Sequence, residues 1–179
     1  MNRNKKIICT ALFIFSIFAK ISATGAGVQA GANPGLFMNE SSIKLEKITG
    51  TLTGTLKFSR IPMVVGFGFE AGKAFSEFSY GFSGFADYHA VDVQIINTWN
   101  FYSGFGAAGS LLTSDFKDWN VAAGARFFAG MNWLFWDNYL EFYIQQNVVP
   151  SYTRSLTVAD SKGAFMLAFP FESGIRLHF

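Results

Sequence analysis

Apolar and polar residues alternate along the end of the chain. Every second position is almost entirely apolar, namely Phe165, Leu167, Phe169, Phe171, Ile175, Leu177 and Phe179. The residues between them are small, polar or charged, among them Glu172, Gly174, Arg176 and His178. A helix would distribute the two sets around its circumference, whereas a β-strand places them on opposite faces. This segment is therefore predicted to be a strand with one apolar face.

The same two-residue period recurs upstream. Residues 52–58, 65–71, 121–133 and 140–148 each combine an apolar set with a polar or glycine-rich set, and Gln146 is an exception on an apolar face. Near residue 90 the pattern changes phase, because Asp87 and His89 fall on the face that Val91, Val93 and Ile95 make apolar. A β-bulge, or a strand end outside the apolar environment, would account for the change.

Turn-forming residues divide the alternating segments into hairpins. Tight turns are predicted at residues 60–62, 97–100 and 136–138, and the intervals from Arg60 to Thr98 and from Thr98 to Trp136 are each 38 residues. Longer and more irregular pieces lie between these turns, at residues 33–47, 72–78, 113–119 and 151–162. Short connections at one end and longer ones at the other fit four hairpins and eight strands.

The N-terminal stretch differs from the rest of the chain. Three basic residues within the first six positions precede an apolar run of 13 residues, Ile7 to Ala19, and small residues follow. This order is typical of a secretory signal peptide, and the run is too short for a membrane-spanning helix. We expect cleavage after Ala23, with Ala19 as a competing site. Residues 1–23 are then the signal peptide and residues 24–179 form one domain.

Removal of this peptide changes the chemistry that the sequence offers. Four basic residues leave with it, so the formal charge falls from +2 to −2, and the positive charge gives no indication of nucleic-acid binding. Cys9, the only cysteine, also leaves, which excludes disulfides and thiolate sites. His89 and His178 lie far apart in the sequence. We therefore expect no metal site and no cofactor.

Composition indicates which way the apolar face points. Charged residues make up 15% of the chain and aromatic residues 18%, and the polar faces carry few Lys and Glu. A soluble, lipocalin-like barrel needs a hydrophilic outer surface, so we expect the apolar face to contact lipid. The tryptophans fit the two bilayer interfaces, with Trp99, Trp133 and Trp136 at the short-turn end and Trp119 at the long-loop end.

The end of the chain resembles a known motif. Glu172, Gly174, Leu177 and Phe179 are similar to the C-terminal β-signal of bacterial outer-membrane proteins, and the whole layout resembles small barrels of the OmpX, OmpA-membrane-domain and OmpW kind. The resemblance implies an all-β, eight-stranded antiparallel up-and-down transmembrane β-barrel in a Gram-negative outer membrane, with both termini periplasmic. It also implies contact with outer-membrane lipids and with the barrel-assembly machinery. No residue motif selects one subfamily.

Charged residues on the polar faces are predicted to point into the barrel. They are Lys57, Glu70, Asp92, Arg126, Glu141, Glu172 and Arg176, with His178 near the rim. Because a lone buried ion is costly, we expect a network of ion pairs that fills the lumen, and a gated polar path is the alternative. An eight-stranded barrel is only wide enough for its own side chains, which excludes a broad pore.

Three functions follow from this interpretation. The first is a non-enzymatic role in envelope structure or surface contacts. The second is an OmpW-like conduit for small hydrophobic solutes. Its candidate ligand contact is an apolar segment that we predict to be a loop outside the membrane, Leu36, Phe37 and Met38. Folding of this loop over the barrel rim is the simpler interpretation of the same residues.

The third function, a lipid-modifying enzyme, has the weakest support. Ser83, Asp87 and His89 are its candidate residues, and they share a strand face. Catalysis requires a nucleophile, a base and an orienting group within reach of one another. No recognisable catalytic motif accompanies these residues, so we expect an interfacial histidine beside an acidic neighbour rather than an active site.

Overall fold

A computed structural model of the protein describes residues 23–39, 42–58, 60–74, 77–157 and 163–179. The predicted signal peptide lies outside the described residues, except for Ala23. In the described part of the chain, no helix has the length and apolar character needed to span a membrane.

Nine strands form a closed wall in the described residues. They are β1 (Ala23–Asn39), β2 (Ser42–Phe58), β3 (Met63–Ala74), β4 (Glu77–Ile96), β5 (Trp99–Thr113), β6 (Trp119–Phe135), β7 (Leu140–Ser155), β8 (Ala164–Ala168) and β9 (Phe171–His178). Each strand from β1 to β7 pairs antiparallel with the next one in sequence. Both β8 and β9 lie between β7 and β1, which closes the sheet.

The ninth strand arises because the predicted eighth strand is interrupted. β8 ends at Ala168 and β9 begins at Phe171, and the intervening Pro170 has no backbone N–H to donate to a neighbour. Since both halves have the same two neighbours, the wall has eight strand positions. The predicted all-β, up-and-down barrel is confirmed, with this one break.

Side chains alternate across the wall as the sequence predicts. Leu52, Phe67 and Phe69 are 63–66% exposed on the outer face, whereas Thr53 and Glu70 on the inner face are 4% and 1% exposed. Polar side chains thus fill the inside of the barrel and apolar ones cover its outside. This is the arrangement of a barrel whose outer face meets hydrocarbon.

The change of phase on β4 is caused by a β-bulge, one of the two explanations predicted from the sequence. The register between β4 and β5 shifts between His89 and Val91, which places a bulge at Ala90. Asp87 is consequently buried on the inner face, whereas Val91 is 43% exposed. The bulge reverses the two faces over one residue, as bulges do.

The predicted tight turns are present, but three of the predicted loops are too long, because strands extend into 33–47, 72–78 and 151–162. Turns occupy residues 60–62, 97–98 and 136–139, and Asn97, Asp137 and Asn138 have the positive φ that these residue types tolerate. Residues 33–39 and 42–47 are not a loop, because β1 and β2 continue through them as paired strands. The two-residue alternation continues along both strands and keeps these residues in the sheet.

Candidate functional site

Charged side chains on the inner faces form three clusters at successive heights in the lumen. The central cluster joins Arg126 of β6 to Asp87 of β4 and Glu172 of β9. Arg126 donates through Nε to Asp87 Oδ2 at 3.0 Å and through Nη2 to Glu172 Oε2 at 2.5 Å. Gln145 and Asn147 donate further hydrogen bonds to these carboxylates. The cluster therefore links separate strands across the middle of the barrel.

The short-turn cluster surrounds one carboxylate, that of Glu141. Arg176 donates through Nη1 to Glu141 Oε2 at 2.7 Å, and Asn132 donates to Oε1 at 2.7 Å. His178 Nε2 lies 2.8 Å and Lys57 Nζ 3.7 Å from Oε2. Glu141 and Arg176 are almost completely buried, whereas the side chains of His178 and Lys57 are 21% and 23% exposed. Buried charges at this level are thus paired, with the more exposed cations at the rim.

The long-loop cluster lies at the opposite end of the lumen. Lys47 Nζ is 2.6 Å from Glu70 Oε1. The same oxygen accepts hydrogen bonds from Thr49 Oγ1 at 2.5 Å and from Asn33 Nδ2 at 3.0 Å. Three neighbouring strands, β1 to β3, contribute these side chains.

Aromatic rings fill the space between the central and short-turn clusters. The His89 ring stacks on Tyr102 with centroids 4.9 Å apart and contacts Phe128 at 5.1 Å. Tyr143 donates from its hydroxyl to Gln29 Oε1 at 2.9 Å, over Gly174 of the strand between them. Tyr102, Phe128 and Tyr143 are 2–5% exposed. The lumen is closed at this height.

The candidate enzyme residues do not form a catalytic arrangement. Asp87 is engaged by Arg126 and Gln145, and the Nδ1 atom of His89 has no hydrogen-bond partner. Among the described residues, Ser83, Asp87 and His89 make no hydrogen bonds with one another. Nothing in this arrangement activates the Ser83 hydroxyl as a nucleophile.

A cavity of about 60 Å³ lies between the central and long-loop clusters, and we call it the chamber. Asn33, Thr51 and Glu70 line its polar side, and Val149, Met166 and Ala168 line the apolar side. The side-chain oxygens Asn33 Oδ1 and Thr51 Oγ1 are buried without a hydrogen-bond partner. At about 10–15 Å³ for each water centre, the chamber has room for about four to six waters.

Six of the seven predicted lumen charges lie in the three clusters, and Asp92 does not. Asp92 is exposed and makes none of the ion pairs of the described residues. Met63, the first residue of β3, pairs with Tyr88, so β4 continues beyond β3 from there. Asp92 consequently lies where the wall is open on one side and water reaches the inner face.

Sequence reasoning missed two charged members of the clusters. Lys47 falls in the segment 33–47, which is predicted to be irregular, and Asp87 falls on the predicted apolar face because the sequence alone does not locate the bulge at Ala90. Extending the alternation of β2 back through residue 47 would have placed Lys47 inside. A bulge fixed at Ala90 would have placed Asp87 there too.

Leu36, Phe37 and Met38, the proposed ligand contact, do not lie in a loop outside the membrane. These residues belong to β1 and pair with both β2 and β8. Phe37 is 4% exposed and packs inside the barrel with a small apolar group that includes Val149 and Met166. Only Met38 is exposed among the three.

The tryptophans lie at the two ends of the strands. Trp99 and Trp133 are in edge contact at 4.4 Å and Trp136 is 75% exposed, all at the short-turn end. Trp119 lies at the long-loop end, 6.4 Å from Phe116. Both groups occupy the heights expected for rings at bilayer interfaces.

The loop between β5 and β6, residues 114–118, is ordered by its own hydrogen bonds. Asp115 Oδ1 accepts the backbone N–H groups of Asp118 and Lys117, each at 2.9 Å, and these bonds hold the pKa of Asp115 below its ordinary value. Phe116 is 69% exposed and packs edge-on against Tyr80. The loop thus presents a fixed aromatic ring and a lysine at the long-loop end.

The four residues of the C-terminal motif have different settings. Glu172 is buried in the central cluster, while Leu177 and Phe179 are exposed on the outer face. Gly174 is inside, where an added Cβ would lie 2.5 Å from the Tyr143 ring. This glycine therefore has a packing role in the folded barrel, in addition to any recognition of the motif by the barrel-assembly machinery.

Replacing Gly174 by alanine distinguishes a packing role in the folded barrel from recognition by the barrel-assembly machinery. We expect Gly174→Ala to lower the fraction of protein that refolds from urea into detergent micelles, where no assembly machinery is present, because Cβ would overlap the Tyr143 ring. Ser173→Ala is the matched control, and gel mobility without boiling measures the folded fraction. Normal refolding of Gly174→Ala, combined with failed assembly in cells, would contradict the packing role and favour recognition by the machinery.

Metal binding has no candidate in the described residues. There, no three or more His, Cys, Asp or Glu side chains come together in a group that could hold an ion.

Solved structures of outer-membrane proteins are similar to this chain. Neisserial surface protein A matches with a TM-score of 0.54 and 14% identity over 88% of this chain and 99% of its own. Ail, the attachment invasion locus protein of Yersinia pestis, matches with a TM-score of 0.47 and 10% identity over 87% of this chain and 100% of its own. Together with the strand pairing described above, the match to Neisserial surface protein A shows that the fold is that of a small outer-membrane β-barrel.

Sequence comparisons add nothing to this assignment. No model of a protein family matches the chain. A search of curated proteins gives no match either.

Proposed function

We propose that this chain is a non-enzymatic, integral outer-membrane barrel that acts through its exposed surfaces rather than by axial transport. The observation that carries this proposal is the closed lumen. The central cluster, the aromatic layer and the Glu141 cluster fill successive heights with buried, mutually bonded side chains. An eight-stranded wall leaves little room beside them.

The surfaces that remain for function are the two ends and the lipid-facing wall. In the proposed orientation both termini and the short turns are periplasmic, and the long loops are extracellular. The ordered 114–118 loop, with Phe116 and Lys117 exposed, is the proposed surface contact. Outer-membrane lipids surround the wall, and the C-terminal strand is the proposed contact with the barrel-assembly machinery.

Electrical recording tests the closed lumen. The folded protein in a planar lipid bilayer is expected to give no unitary current steps above the membrane baseline, because buried ion pairs occupy the path. A general porin added to the same membrane is the positive control, and the gel shift on boiling shows that the sample is folded. Reproducible current steps from the folded form would refute the proposal and favour the gated polar path.

A further inference from the structure

Three of the four prolines lie at one level of the barrel wall, on adjacent strands. Pro34 is in β1, Pro170 lies between β8 and β9, and Pro150 is in β7. Pro150 pairs with Leu167 of β8, and the carbonyl of Pro34 accepts the N–H of Phe169 at 2.8 Å. We call these three residues the proline belt.

Each proline of the belt lacks an N–H donor. Pro34 stays paired with Ile48 of β2, and Pro150 with Leu167 of β8, but two backbone ladders beside the belt are interrupted. Between β6 and β7 the ladder stops at the Gly124–Ser151 pair and resumes at Phe127–Val148. β8 and β9 both stop short of residues 169–170. In hydrocarbon no water replaces a missing backbone hydrogen bond. The belt is therefore a stretch of wall held by fewer such bonds than its surroundings.

The belt lies at a height where the outer face is apolar. Phe127, Phe165 and Phe171 flank it on the outside and are 45–52% exposed. Gln146 is the polar exception there. Its Nε2 atom lies 3.1–3.3 Å from the carbonyl oxygens of Asn147, Phe169 and Pro170. A polar group facing lipid is costly. Here the Gln146 amide donates hydrogen bonds to backbone carbonyls in place of the N–H groups that the prolines lack.

On the inner side of the belt, hydrogen bonds of Asn147 hold the strands together. Asn147 is completely buried. Its backbone N–H and its Nδ2 both donate to the Pro170 carbonyl, at 2.8 and 3.0 Å. The Nδ2 group also donates to Glu172 Oε2 at 3.0 Å. The gap is thus bridged by two backbone hydrogen bonds, Asn147 to Pro170 and Phe169 to Pro34, and otherwise by side chains, which change rotamer more readily than a backbone ladder separates.

The chamber lies directly behind this stretch of wall. Val149, Met166, Ala168 and Pro170 line it on the belt side. Its lining charges are neutralised in pairs, Lys47 by Glu70 and Arg126 by Glu172. The unpartnered oxygens Asn33 Oδ1 and Thr51 Oγ1 on the other side would accept a hydrogen bond from a guest. Such a lining suits a small, uncharged amphipathic molecule of the size of a short-chain alcohol or amide.

We propose that the proline belt is a portal in the wall, through which a small, uncharged amphipathic molecule passes between the chamber and the surrounding lipid. On the lipid side, the hydrogen bonds of Gln146 to the Phe169 and Pro170 carbonyls keep the portal closed. This inference goes beyond the surface role proposed above and does not depend on it. A barrel that conducts no ions along its axis still exchanges such a molecule sideways.

Thiol labelling tests the portal, because residues 24–179 contain no cysteine. Ala168→Cys places one thiol in the chamber, where Ala168 is 2% exposed. In lipid vesicles we expect methyl methanethiosulfonate, which is uncharged and enters the bilayer, to label this thiol faster than its charged sulfonatoethyl analogue. Adding Gln146→Leu is expected to raise the rate about fivefold, the effect of one hydrogen bond of ordinary net strength on an opening equilibrium.

Matched variants make the test decisive. Pro150→Val restores a backbone donor and is expected to slow labelling, whereas Pro62→Ala, which changes the proline outside the belt, is expected to leave it unchanged. Leu112→Ala widens the other route, because Leu112 lines a smaller cavity at the long-loop end and does not line the chamber. The portal is refuted if the Gln146 and Pro150 variants label at the original rate, or if Leu112→Ala alone accelerates labelling.

Hydrogen exchange supplies a measurement that needs no variant. Residues 125 and 126 are paired with β5 but not with β7, and the one of their two backbone amides that points to β7 is expected to exchange faster than those of residues 66–68, whose strand is paired on both sides. Equal protection of the two stretches in the folded barrel would overturn the proposal even if a belt variant failed to fold.

Discussion

Replacing Arg126 by methionine is expected to lower the free energy of unfolding by about 3–5 kcal/mol, the usual effect of removing one partner from a buried ion pair. The guanidinium is the cation that binds both Asp87 and Glu172. All three side chains are no more than 6% exposed. Without the arginine, two buried carboxylates would face each other with no cation between them. A urea titration in lipid vesicles, followed by gel mobility without boiling, measures the change.

A triple variant shows whether charge is the cause. Arg126→Met combined with Asp87→Asn and Glu172→Gln removes all the charges together, and we expect it to regain most of the lost stability. Replacement of a whole buried ion cluster by neutral groups is often tolerated, whereas breaking it is not. If Arg126→Met costs less than about 1 kcal/mol, the central cluster does not hold the barrel together.

Replacing Glu141 by glutamine is expected to have a similar effect, a loss of about 3–5 kcal/mol. The carboxylate is 1% exposed and is the partner of Arg176, whose side chain is 4% exposed. Arg176 would retain its position over the Tyr143 ring, 4.6 Å from the centroid, but it would lose the carboxylate that neutralises its charge. The same urea titration measures the loss, and Glu141→Gln with Arg176→Met is expected to recover much of it.

Lys57 provides the internal control for this cluster. It interacts with the same carboxylate, but at 3.7 Å and with a side chain that is 23% exposed. Lys57→Met is therefore expected to change stability by no more than about 1 kcal/mol, as for exposed pairs. Equal losses for Lys57→Met and Glu141→Gln would contradict the argument that burial sets the cost.

The side-chain faces of the wall follow from sequence because alternation is a local property of a strand. Arg126, Glu141, Glu172 and Arg176 are correctly assigned to the inside by counting in twos along unbroken strands. Asp92 is assigned to the inside by the same count, but its exposure depends on where the neighbouring strand begins. That depends on the stagger between β3 and β4, which no local pattern encodes.

Which inner residues meet across the lumen is not predictable in this way. The distances from Arg126 to Asp87 and from Glu141 to Lys57 depend on the register of several strands in succession, and an error of one residue reverses a face. The bulge at Ala90 is such a case. Gln146 is another, since its position on the outer face has no explanation until the prolines of two neighbouring strands are aligned with it.

Gly25 of β1 pairs with His178 of β9, so the ring closes only between the two ends of the chain. Contacts this distant in sequence form late and slow folding. A chain that lost its last strand would expose the edges of β1 and β7 together, and lipid satisfies neither. We therefore expect no strand to be committed to the bilayer before β8 and β9 are available to close the wall, which makes insertion a single cooperative event rather than a stepwise one.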